Sequence, residues 1–121
     1  MKTVGREQIL DKVGQWSRGT ITPVEMHAWV TDLLLGGDIE YEDWEGDGRF
    51  SVTREVLAEL EMLDMNLITR DDAPIFIEFL RTSAGDFETG YIAFISRLQS
   101  IDPDERRQSL KNTEPYAKYC L

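Results

Sequence analysis

The stretch from Asp38 to Asp47 carries six carboxylates and no base, with Tyr41 and Trp44 set among them. Two kinds of chemistry suit such a segment. Counted from Asp43, the side chains of Asp43, Glu45 and Asp47 take the first, third and fifth positions of a calcium-binding EF-hand loop. Gly48 then falls on the sixth position, Phe50 on the eighth and Ser51 on the ninth. The pattern fails at the twelfth position, where a bidentate glutamate belongs. Arg54 stands there, and Glu55 comes one residue late. A weak calcium set of Asp43, Glu45, Asp47 and Ser51 is therefore the alternative, and no metal is the main expectation. The other chemistry is recognition. Carboxylates attract a basic protein over long range, and large aromatics anchor it once it arrives. This assigns a partner-binding surface to Tyr41, Glu42, Asp43, Trp44, Glu45 and Asp47, with a merely solubilising acidic segment as the bland competitor.

Little else in the chain suggests catalysis. His27 is the single histidine and follows Met26 on an amphipathic helix, a position typical of a boundary residue. A general base needs an orienting partner and a group to deprotonate, and neither is evident near it. Cys120 stands next to the C-terminus, with no nucleophile elbow around it. The glycines of Gly46-Asp47-Gly48 flank an acid that would repel a phosphate. One His and one Cys are too few for a zinc site. The expectation is a non-enzymatic protein without a cofactor.

Composition narrows the class of partner. The 121 residues contain 13 Lys and Arg against 23 Asp and Glu, a formal charge of −10 and a pI near 4.5. Such a surface repels phosphate backbones, which argues against nucleic acid. No apolar run is long enough for a membrane span, and Met1 to Glu7 has no signal-peptide core. A single cysteine suits a reducing cytoplasm. The length and an apolar fraction of 41% fit one small domain over 1–121.

The elements that must carry the acidic loop are helical. Thr22-Pro23-Val24-Glu25 is a capping box with proline at the first helical position. Met26, Trp29, Val30, Leu33 and Leu34 then recur at helical spacing until Gly36-Gly37. Asp102-Pro103-Asp104-Glu105 repeats the device. Arg6 to Trp16 carries Ile9, Leu10, Val13 and Trp16 on one side. Thr53 to Asp64 presents Val56, Leu57, Leu60 and Leu63. A further helix starts at Thr69, with Pro74 in its first turn and Ile75, Phe76, Phe79 and Leu80 on its buried face. From Asp86, a stripe of Phe87, Tyr91, Phe94, Ile95, Leu98 and Ile101 could bury within the chain or in a homodimer. Gly90 in that helix would permit a close crossing. The sum is an all-α bundle of five or six helices. It leaves room for a minor two-stranded hairpin near 37–52, and a tail over 111–121 that docks through Tyr116 and Tyr119.

One segment supports a resemblance. Trp16-Ser17-Arg18-Gly19-Thr20-Ile21-Thr22-Pro23-Val24-Glu25, followed by Trp29, is similar to a pattern found in small acidic bacterial helical proteins. Those are mostly uncharacterised, and some look like the immunity proteins that neutralise toxins such as colicin-type nucleases. The layout of Glu55 to Leu67 and then Pro74 to Leu80 fits the same group, so the resemblance spans roughly residues 9–82. It transfers no catalytic motif. It implies a small cytoplasmic helical protein that inhibits a basic enzyme.

Overall fold

The computed structural model describes residues 1–121 and has six α-helices with one small sheet. Helix α1 (Arg6–Ser17) buries Ile9, Val13 and Trp16, one residue per turn on one face. Helix α2 (Pro23–Leu34) starts at the Thr22 capping box: the hydroxyl accepts from Glu25 N at 3.1 Å while Glu25 Oε1 accepts from Thr22 N at 2.9 Å. It buries Met26 and Val30. Its C-terminal carbonyls, which have no partner within the helix, receive the Lys2 ammonium through Asp32 O, Leu33 O and Leu35 O.

Helix α3 (Val52–Glu61) begins one residue before the expected Thr53. Ser51 is its cap, accepting from Arg54 N at 3.1 Å, and Thr53 is free for another task. A 3₁₀ turn (Arg70–Asp72) leads into α4 (Ala73–Leu80), with Pro74 tolerated in the first turn as the sequence predicts. Helix α4 is the hub of the bundle, since α1, α3 and α5 (Phe87–Gln99) all pack on it. Phe79 stacks on Phe94 at 4.4 Å between ring centres, and Phe76 meets Phe94 edge-on. Phe87 and Phe94 are thus buried within the chain, whereas Tyr91, Ile95 and Leu98 stay half-buried. Gly90 does allow a close approach: a Cβ there would lie 2.5 Å from Thr82 Oγ1.

The hairpin expected near 37–52 does not form. Strand β2 (Ile39–Tyr41) pairs instead with β1 (Lys2–Val4), in parallel, with Lys2 opposite Ile39 and Val4 opposite Tyr41. The 48–52 segment contributes only a single antiparallel bridge, Glu45 to Phe50. Val4 is fully buried and Gly5 is enclosed, so the N-terminal strand is seated on the core rather than free.

The last helix, α6 (Pro103–Leu110), buries no residue of its own. A polar clamp holds it. Arg106 donates to both carboxylate oxygens of Asp72 at 2.8 Å and to Leu67 O at 2.8 Å. Leu67 occupies the left-handed region at φ +56, a conformation costly for a branched side chain. Its burial and the Arg106 contact hold it there. The tail docks as expected: Tyr116 is buried and its hydroxyl donates to Ile68 O at 2.6 Å. Burial there pushes the phenol far above its ordinary range.

Arg106→Met should leave the Asp72 carboxylate buried without its cation and cost about 3 kcal/mol, read from urea unfolding. Pairing it with Asp72→Leu should recover much of that loss. A lone Arg106→Met that unfolds like wild type would mean the clamp contributes nothing.

Candidate functional site

The acidic segment lies between β2 and α3, and its conformation is set by Asp43. This carboxylate is only 13% exposed. Its Oδ2 accepts from Arg6 Nε at 2.9 Å, Thr53 N at 3.1 Å and Thr53 Oγ1 at 3.0 Å, while Oδ1 accepts from Ser51 Oγ at 2.5 Å. Burial alone would raise the Asp43 carboxyl. The donors from Ser51, Arg6 and Thr53 outweigh it and hold the group below the usual carboxylate range. Arg6 reaches further, donating to Leu80 O at 3.1 Å and to Thr82 O. One ion pair thus joins the start of α1, the acidic loop and the end of α4.

Asp43 therefore faces inward, which corrects its assignment to a partner-facing surface. The calcium alternative fails for the same reason. The lone pairs that a cation would need are taken by Arg6, Ser51 and Thr53, and Ser51 serves as donor to Asp43 and cap to α3. Glu45 and Asp47 do not join Asp43, and no three His, Cys, Asp or Glu side chains come together in a metal-holding group.

The other loop residues divide by environment. Tyr41 and Trp44 are half-buried and meet edge to face at 5.7 Å. The Arg54 guanidinium lies 5.1 Å from the Trp44 ring centre, a cation–π contact. Burial raises the Tyr41 phenol, an effect that nearby Arg54 opposes. Glu45 and Phe50 exchange backbone hydrogen bonds of 2.7 and 3.0 Å around the turn at Gly46, Asp47 and Gly48. A Cβ at Gly46 would lie 2.5 Å from the Phe50 ring, and φ is +63 there, so glycine is required on both counts. The Glu45 carboxylate accepts from Gly85 N at 3.3 Å, tying the turn to the approach of α5. Asp38, Glu40, Glu42 and Asp47 are exposed, the Glu42 carboxylate lying over Gly5 and Asp38 meeting the N-terminal ammonium.

His27 Nε2 donates to Glu61 O at 2.9 Å and sits 3.6 Å from Asp64 Oδ1. Glu61 O is a carbonyl, so Nε2 carries the proton in this contact. That is a packing role between α2 and α3. Cys120 Sγ lies 3.4 Å from Tyr116 O, half-buried in the tail.

No family model, no curated protein and no solved structure matches this chain. No helix is long and apolar enough to cross a membrane.

Asp43→Asn should destabilise the fold by about 2–3 kcal/mol, because a buried guanidinium loses its charged partner. The pH dependence has a definite sign. A carboxyl whose folded pKa lies below its unfolded value of about 3.9 contributes fully above that value, and the contribution disappears as pH falls through the lower folded pKa. Urea midpoints measured between pH 2 and 6 should therefore fall more steeply on the acid side for wild type than for Asp43→Asn. Parallel curves would show that the Arg6–Asp43 pair adds no net stability.

Proposed function

We propose that this chain is a non-enzymatic interaction protein of the immunity or inhibitor type, acting in a reducing cytoplasm. It binds a basic protein through the acidic face built on Glu40, Glu42, Trp44, Glu45 and Asp47. The observation that carries this reading is the combination of a net charge of −10 with an acidic segment whose path is fixed by the Asp43 hydrogen bonds, the Arg54–Trp44 contact and the Glu45–Phe50 pairing. A merely solubilising segment has no need of an internal carboxylate with four donors, a cation–π contact and a glycine turn to fix its shape. A recognition surface benefits directly, because ordering is completed before the partner arrives and costs little at binding. Tyr41 and Trp44 then act as the fixed floor beneath the exposed acids rather than as free anchors. The exposed carboxylates speed encounter with a basic partner.

The test is affinity capture from a lysate of the source cells at low salt. Wild type runs beside a variant with Glu40, Glu42 and Asp47 changed to lysine, leaving Asp43 and the fold intact. Wild type should retain a basic protein that elutes as salt rises through the screening range, and the variant should retain at least ten-fold less. Recovery of the same proteins by both baits would make the segment a solubility device and remove the proposal.

A further inference from the structure

The small sheet is open along β2. In a parallel pair, successive residues of a strand point their backbone groups alternately toward the partner and away from it. Lys2 N donates to Asp38 O and Glu42 N to Val4 O, so with Lys2 opposite Ile39 it is Glu40 that faces β1. The N–H and C=O of Ile39 and the N–H of Tyr41 then point the other way, and no group of the chain meets them. Strand β1 is also the only element in extended contact with β2. An unpaired strand edge is a template for a further strand.

The side chains of β2 select the kind of strand that fits. Val4 is fully buried, so the face of the sheet that it shares with Ile39 and Tyr41 lies on the core, where both are half-buried. Thr3 and Glu40 share the outer face and are exposed, with Glu42 beyond them over Gly5. Neither Glu40 nor Glu42 forms an ion pair. The cations around the sheet are already engaged: Lys2 on the carbonyls ending α2, the terminal ammonium on Asp38, Arg6 on Asp43 and Arg54 on Glu55. A second copy of this chain is a poor occupant. Antiparallel addition in matched register would set Glu40 against Glu40, and like charges directly opposite destabilise a sheet.

We infer that the outer edge of β2 takes up an extended segment of the partner protein as a third, antiparallel strand, with apolar residues opposite Ile39 and Tyr41 and a lysine or arginine opposite Glu40. In that arrangement the residues opposite Ile39 and Tyr41 meet the free backbone groups. The residue opposite Glu40 falls in a non-hydrogen-bonded pair, where side chains approach most closely. Main-chain pairing supplies affinity and the alternate side chains supply specificity, as in other strand-addition complexes. The inference rests on the basic partner proposed above, and it gives that partner's binding segment a backbone shape as well as a charge.

The probe is a synthetic peptide of about six residues in which valine and lysine alternate, titrated into the full ¹⁵N-labelled chain. Two derivatives carry the test. One is N-methylated on its valines, whose N–H groups would face β2, and the other on its lysines, whose N–H groups would face solvent. The parent and the lysine-methylated peptide should bind alike and shift the amides of Ile39 and Tyr41. The valine-methylated peptide should bind roughly ten-fold more weakly, since it has lost its main-chain donors. Glu40→Gln, which preserves side-chain shape, should weaken the parent peptide roughly three-fold. Equal binding of the two methylated peptides would overturn strand addition while leaving the acidic-surface reading in place. Shifts centred on Thr3, or unchanged affinity in Glu40→Gln, would also overturn it. No binding of any peptide at millimolar concentration would overturn it too, and capture from lysate would then decide the basic-partner reading separately.

Discussion

The Arg6–Asp43 ion pair is the constraint on which the rest of this structure depends. The segment between α2 and α3 has few apolar residues to bury, so hydrophobic collapse alone cannot fix its path. Asp43 supplies the missing anchor by accepting from a side chain of α1 and from both the backbone and hydroxyl of Thr53. Desolvating a carboxylate and a guanidinium costs several kcal/mol each, and that cost is offset here by four donors to Asp43 and by the acceptors that meet Arg6 Nε and Nη1. Arg6 extends the constraint to Leu80 O and Thr82 O. The carbonyls that end α4, which would otherwise lack partners, are thereby satisfied by the group that orders the loop.

A second pair, Asp72 with Arg106, repeats the solution at the opposite end of the chain. Helix α6 buries nothing of its own, so its position cannot come from an apolar face. The bidentate contact supplies direction and register where packing does not. Asp43 and Asp72 are thus structural. Other acids, among them Glu40, Glu42 and Asp47, are exposed and make no ion pair, and there like charges repel one another and the compact state gains little from them. A surplus that the fold does not use is the kind of feature an electrostatically steered encounter can exploit.

Features governed by neighbours in sequence were legible in it. The Thr22 box, the Asp102 cap, the tolerated Pro74 and the stripes of α1 to α5 follow from hydrogen bonds and side-chain spacings spanning only a few residues. Features made by distant partners were not. Asp43 reads as one more acid in a charge run because Arg6 is far upstream and gives no local sign of where it will point. Thr53 reads as the start of the helix, and only the position of Asp43 shows why Ser51 is the cap and Thr53 turns to the carboxylate. The parallel pairing of β1 with β2 was missed for the same reason. Two three-residue strands carry almost no periodic signal, and a nearby hairpin partner is the cheaper guess in loop entropy.

The Glu45–Phe50 turn links the acidic segment to the aromatic side chains of α5. Its backbone pairing brings Glu45 to Gly85, and Phe50 stacks on Phe87, which stacks in turn on Tyr91. The turn is fixed at its tip by left-handed backbone at Gly46, Asp47 and Gly48, and at its end by Ser51, whose hydroxyl donates to Asp43. A shift of Asp43 would therefore be felt at Phe50 and along the stack on α5. Apolar packing alone would leave the path of the acidic segment and the position of that ring independent of each other. One carboxylate with four donors couples them, because its hydrogen bonds are directional where dispersion contacts are not.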